Sequence, residues 1–218
     1  MIVRTPFHCV LLVATAACCL SAQTPDLQKL KDEAIALADG RAKMTQVIVD
    51  TVFSFGEIGY QEVETSKFLT ALLEKEGFRI TRGVAGMPTA FVAEWGSGKP
   101  VIGFMADIDG LPETSQKPGV AYREPIVKGA PGHGEGHNSG LAVGATAAIV
   151  VKELMQKHKI PGTLRVYPGV AEELLGSRTY MVNAGLFRDV DAMLSSHISS
   201  SFSVSGGPSG GTGLVSVL

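Results

Sequence analysis

An α/β fold, a mainly parallel sheet flanked by helices, is predicted by three features of the sequence. Short apolar runs alternate with segments of helical periodicity. Hydrophobic residues make up 45% of the 218 residues and charged residues 18%, enough apolar material for a core. Polar and ionisable residues collect immediately after the apolar runs, where open α/β sheets gather their ligands.

The elements follow in order. From Asp26 to about Phe53, Leu27, Leu30, Ala34, Leu37, Val47, Ile48 and Val52 fall near helical spacing, with a break near Gly40. A second helix is expected over Glu62–Glu76, with Phe68, Leu69, Leu72 and Leu73 inward and Gly77 at the C-cap position. Thr89–Trp95 and Val101–Ala106 read as strands. The connection Gly96-Ser97-Gly98-Lys99-Pro100 suggests that they form a hairpin. Ser139–Lys157 reads as a largely buried helix, Thr163–Tyr167 as a strand, Ser177–Ala184 as a short helix and Ala192–Leu194 as a further strand. Ser199–Gly213 is rich in Ser and Gly. Leu214–Leu218 then begins a strand, so the chain is expected to be truncated.

The first 22 residues have the layout of a secretory signal peptide. Arg4 precedes an apolar run from Cys9 to Leu20, and small residues follow at Ser21-Ala22. The run is short for a membrane span, and an uncleaved anchor is the alternative. The three cysteines, Cys9, Cys18 and Cys19, all lie inside this segment. A secreted or periplasmic mature chain would have no thiolate, so any metal must be held by His and carboxylate. The net charge is −2 and no basic stripe is evident, which argues against a nucleic-acid partner.

The chemistry concentrates at the strand ends. Asp107 and Asp109 follow one strand, Glu172 and Glu173 another, and His197 a third, while the loop Gly132-His133-Gly134-Glu135-Gly136-His137-Asn138 enters the long helix. Each has a plainer reading. The aspartates suit a turn before Gly110, the glutamates a solvated helix start, His197 a polar loop, and the glycine-rich loop a phosphate cradle. That loop does not fit G-x-x-x-x-G-K-[ST], and its two His and one Glu suit a cation better than an anion. His and carboxylate ligands fit zinc or manganese, with cobalt possible. Adjacent glutamates allow one to bind metal while its neighbour takes a proton from water. No serine nucleophile elbow is expected, since G-x-S-x-G occurs only at Gly207–Gly211, inside the Ser/Gly-rich stretch rather than between a strand and a helix.

The ordered motifs Met105-Ala106-Asp107-Ile108-Asp109-Gly110-Leu111-Pro112, Gly132–Asn138, Ala171-Glu172-Glu173 and His197 together resemble the amidohydrolase branch of the aminoacylase/carboxypeptidase metallopeptidases, in particular the aminobenzoyl-glutamate hydrolase type. The resemblance implies a zinc-exopeptidase-like catalytic domain holding two divalent metal ions, with an inserted lid or dimerisation domain. After the signal peptide read over 1–22, the organisation it implies is the N-terminal part of the catalytic domain over 23–205 and the start of the lid over 206–218. It further implies Glu135, His137, Glu173 and His197 as metal ligands, Glu172 as general base, and Asp109 beside the site orienting a ligand. Branch members usually carry Cys where Glu135 stands, and Glu should shift preference toward manganese or magnesium. The family's last His ligand follows the lid, so this chain is expected to lack it. The activity implied is hydrolysis of the amide bond of an N-acyl or N-aroyl amino acid or small dipeptide, a small-molecule substrate, by a protein that is a homodimer at full length. The alternatives are an inactive fragment and a metal-binding protein without turnover.

Overall fold

The computed structural model describes residues 26–201. The expected signal peptide, the start of the lid domain and the partial strand Leu214–Leu218 lie outside the described residues. Within them the expected elements form close to their expected bounds. Helices α1 (Leu27–Gly40) and α2 (Ala42–Phe55) are split at Arg41, beside the expected break. Asp26 caps α1 by accepting the Gln28 N–H at 3.0 Å, and α2 ends on Gly56 in the left-handed region at φ 55°. Helix α3 spans Val63–Lys75. The Glu57 carboxylate, reaching forward from the preceding loop, accepts the Glu64 and Thr65 N–H groups of its first turn, each at 2.9 Å. Strands β1 (Arg79–Arg82), β2 (Phe91–Ser97) and β3 (Val101–Asp107) follow, then α4 (His137–His158), β4 (Gly162–Gly169), α5 (Ser177–Asn183) and β5 (Ala192–Ser195).

The sheet has five strands in the order β1-β2-β4-β3-β5. β3 is parallel to both β4 and β5, and β2 is antiparallel to β4 and to β1. The α/β class expected from the sequence is present, with a mixed sheet whose parallel half is β4-β3-β5. The expected β2–β3 hairpin does not form, because β4 lies between the two strands. The physical reason is burial. β4 shows a nearly unbroken buried pattern, and such a strand gains most from a central position. The turn at Gly98–Pro100 therefore carries the chain past β4, with Thr163 donating its N–H to the Pro100 carbonyl at 2.8 Å and its Oγ1 hydroxyl to the Gly98 carbonyl at 2.8 Å.

Successive side chains of β3 point to opposite faces. Ala106 faces α4, next to Gly144. Met105 faces α5, within 3.3 Å of Arg178 Nε, and Asp107 meets Arg178 on the same side. Gly103 also faces that side, where a side chain would collide with Met193 and Tyr167. Helix α4 is buried on most sides, as its apolar sequence predicts, and Ile149, Ala145 and Leu141 lie at its packed centre. At its far end His158 Nε2 lies 2.7 Å from Glu33 Oε2 on α1. No described helix is long and apolar enough to cross a membrane.

Ile149 is fully buried in this core. Ile149→Ala is expected to lower stability by about 2–5 kcal/mol through lost burial and the cavity left behind, measured as a fall in the urea midpoint at unchanged m-value.

Candidate metal centre

Because β3, β4 and β5 are parallel, their carboxyl ends share one edge of the sheet. Asp107 closes β3, Asp109 follows it, Glu172 and Glu173 lie just beyond β4, and His197 lies just beyond β5. The glycine-rich loop delivers Glu135 to the same edge, with Gly136 at φ 91° turning the chain so that His137 opens α4. One topological feature thus gathers residues from four separate segments.

His137 is the centre of the cluster and is almost completely buried. Its Nδ1 donates to the Asp109 carbonyl at 2.9 Å and lies 3.3 Å from both Asp109 Oδ1 and Glu135 Oε1. Committing Nδ1 to the Asp109 carbonyl leaves Nε2 directed to the other side, 3.9 Å from Glu172 Oε2. The His197 ring stands edge-on to His137 with centroids 5.2 Å apart. Asp109, fully buried, accepts the Glu173 N–H on Oδ2 at 3.0 Å, and so touches both the helix entry and the glutamate turn. Asp109, Glu135, Glu172 and His197 therefore lie around one imidazole, and Glu173 is tied to them through its backbone N–H. The tightest grouping differs from the expected ligand set. Among the described residues, ligand atoms of Asp107, His137 and Glu172 all lie within 4.8 Å of one another.

Three residues without a role in the sequence analysis complete the surroundings. Arg178 on α5 grips both oxygens of Asp107 and lies 3.4 Å from Glu172 Oε1. Nothing in the local sequence marks it, since an Arg on a short helix is ordinarily solvated. His133, its side chain fully buried, places Nδ1 3.3 Å from Glu135 Oε1; its position in the glycine-rich loop was the available signal. Glu62, at the entry to α3, is fully buried, and in the sequence it reads only as a helix start.

The electrostatics favour a cation. Burial pulls the His137 pKa down, but the Asp109 carboxylate and carbonyl and the charges of Glu135 and Asp107 outweigh it and raise the pKa to about 9. Burial pushes Glu135 up, but the His133 hydrogen bond, its own backbone N–H and the charges of both histidines hold it below the ordinary glutamate range. Burial raises Glu173 and also Asp107, the latter against the pull of Arg178. Asp109 Oδ1, Glu135 Oε2 and His133 Nε2 are buried without a hydrogen-bond partner. Unpaired acceptors beside a proton-hungry imidazole are what an oxygen- and nitrogen-liganded divalent ion would satisfy. The residues present fit such an ion.

Arg178→Gln would leave the buried Asp107 carboxylate without its cation. The expected loss is about 1–3 kcal/mol at neutral pH. The sign with pH follows from the raised pKa of Asp107. Its charged form is the one that burial penalises, so the gap between wild type and variant should narrow as pH falls and Asp107 takes up a proton. Urea denaturation of both proteins at neutral and acid pH measures it.

Several known proteins resemble this chain. The model of peptidase family M20/M25/M40 matches residues 103–211, which is half the chain. A p-aminobenzoyl-glutamate hydrolase subunit of Escherichia coli is 38% identical over 150 residues, covering 69% of this chain and 31% of that protein. Thermostable carboxypeptidase 2 of Saccharolobus solfataricus is 33% identical, covering 81% of this chain and 43% of that protein. This chain therefore spans well under half the length of these relatives. Among solved structures, a Bacillus subtilis protein described as a dinuclear metal binding peptidase superposes with a TM-score of 0.53 at 25% identity, covering 68% of this chain and 41% of that one. An aminobenzoyl-glutamate utilization protein of Klebsiella pneumoniae shares the fold, with a TM-score of 0.54 at 16% identity over 76% of this chain and 45% of that one. With the strand-end cluster and the family match in agreement, the chain belongs to peptidase family M20/M25/M40.

Proposed function

We propose that this chain carries the larger part of a divalent-metal site for hydrolysing the amide bond of an N-acyl or N-aroyl amino acid or a small dipeptide. The observation that carries the reading is the oriented His137 ring, its Nδ1 committed to Asp109, beside buried carboxylate oxygens that lack partners. The names of the relatives support the substrate class. They include a p-aminobenzoyl-glutamate hydrolase, a hippurate hydrolase of Campylobacter jejuni and a mouse Xaa-Arg dipeptidase.

In this reading His137, Glu135, Glu173 and His197 hold the metal. Asp107 does not, although it belongs to the tightest cluster, because Arg178 already gives its carboxylate a cation. Asp109 orients His137 through Nδ1 and the Glu173 turn through its amide. Two divalent ions, zinc or manganese, would when bound polarise the scissile carbonyl and acidify water. A glutamate at 135 in place of a thiolate shifts the preference toward the harder manganese.

Glu172 is the base. Arg178 holds its Oε1, leaving Oε2 turned toward His137. Oε2 takes a proton from water as the water oxygen bonds to the carbonyl carbon, then returns it to the departing nitrogen as the C–N bond breaks. The products are a carboxylic acid and an amine. Export to the cell exterior or periplasm, removal of residues 1–22 and a homodimer at full length belong to the same proposal. N-terminal sequencing of the exported protein tests the cleavage.

Glu172→Gln keeps shape and removes the proton acceptor. In the full-length protein it should retain metal stoichiometry, measured by atomic absorption, while hydrolysis of aroyl-glutamate substrates falls about 100- to 10,000-fold. Glu173→Gln and Glu135→Gln should lose metal first. Metal loss in Asp107→Asn but not in Glu135→Gln would replace the proposed ligand set with the Asp107–His137–Glu172 cluster. Retained metal with no hydrolysis by the full-length wild type would favour a binding protein without turnover.

A further inference from the structure

We propose that Glu62 is a positioning residue that sets the conformation of the Glu172–Glu173 turn through the Ala171 amide. The proposal rests on the reading of those glutamates as base and ligand.

Glu62 is a carboxylate with no exposed surface, in a position where no cation pairs with it among the described residues. Such a group is costly to bury and stays only where hydrogen bonds hold it. Both oxygens are engaged. Oε1 accepts the Ala171 N–H at 2.7 Å, across 109 residues of sequence, and Oε2 accepts the Thr89 Oγ1 hydroxyl at 2.9 Å. Burial pushes the carboxyl up, and backbone N–H groups of Glu62, Ala171 and Tyr60 together with Thr89 pull against that.

The segment that Glu62 holds is backbone that alanine and leucine seldom adopt. Ala171 has φ 50° and Leu175 φ 57°, both left-handed, on either side of the single turn Glu172–Leu174. Backbone in this region persists where its surroundings over-determine it. Here they do so from one direction. The chain at Gly59 lies so close that a Cβ there would sit 2.9 Å from Ala171 Cα and 3.0 Å from Leu174 Cδ1. Tyr60, itself at φ 63°, places its hydroxyl against Gly176. The same segment also reaches the other strand end. The Glu57 carbonyl accepts the Gly110 N–H at 2.8 Å, and Ile58 forms a parallel bridge with Gly110. Residues 57–62 thus span the loop after β3 and the turn after β4, and Glu62 is the hydrogen-bonding end of that span.

The test compares Glu62→Gln, Glu62→Leu and Gly59→Ala with the wild-type chain. Glutamine retains an acceptor for Ala171, and its amide can donate to Thr89 Oγ1. Leucine removes the acceptor. Gly59→Ala displaces the turn without touching the carboxylate. Hydrogen exchange of the peptide covering residues 170–176 should accelerate roughly tenfold or more in Glu62→Leu and Gly59→Ala, with α4 unchanged, and stay near wild type in Glu62→Gln. Mn2+ affinity by calorimetry should fall about 10- to 100-fold in the first two and recover in the third. Slow exchange at 170–176 in Glu62→Leu, or acceleration spread evenly over the whole chain, would overturn the proposal. If Glu62→Leu does not fold, Glu62→Asp, whose shorter side chain withdraws the acceptor from the Ala171 N–H, decides by the same exchange readout. A wild-type chain that takes up no Mn2+ would sink the metal reading alone, because the exchange experiment reads the turn without metal.

Discussion

Asp107, Asp109 and Glu62 are buried at one end of a sheet, and each carboxylate must be compensated within the fold. The surrounding structure follows from how each is compensated. Asp107 takes a guanidinium from α5. Glu62 takes a backbone amide and a hydroxyl. Asp109 takes the Glu173 amide on one oxygen and keeps the other unpaired beside His137. Compensation with neutral donors produces rigid connections between loops. The incomplete compensation at Asp109 and Glu135 leaves the negative potential that a cation would answer.

This division separates two kinds of acid at the site. Glu62 and Asp107 are closed, since their oxygens are spoken for by partners on distant elements. Glu135 and Asp109 are open, each with an unpartnered buried oxygen. Distance between atoms alone groups Asp107 with His137 and Glu172. The satisfaction of each oxygen favours Glu135 instead, as in the ligand set proposed above. Proximity and availability are different properties, and a metal ion needs the second.

The sheet topology is what places the open and closed acids together. Inserting β4 between β2 and β3 makes β3 a central strand, flanked on both sides by parallel neighbours. The three loops after β3, β4 and β5 then emerge side by side. A β2–β3 hairpin would have given β3 an antiparallel neighbour, whose carboxyl end points the other way. The same insertion lets α4 cross from β3 to β4 with its first residue, His137, at the shared edge.

The sequence by itself determined the elements and their chemistry. Apolar periodicity placed α1 to α4, and short apolar runs placed β2 to β5, because both signals depend on neighbours in the chain. It also determined that acids and imidazoles follow the strands, and the order of the motifs pointed to the family. β1, with little apolar content in Arg79–Arg82, left no such signal. The tertiary structure alone decided strand order, because pairing is a contest among distant segments that share similar apolar character. It alone decided that Arg178 serves Asp107 and that Glu62 serves Ala171. Those bonds join residues 71 and 109 positions apart. An arginine on a short helix and a glutamate at a helix start read locally as solvated surface, and only packing removes the water that would have made them so.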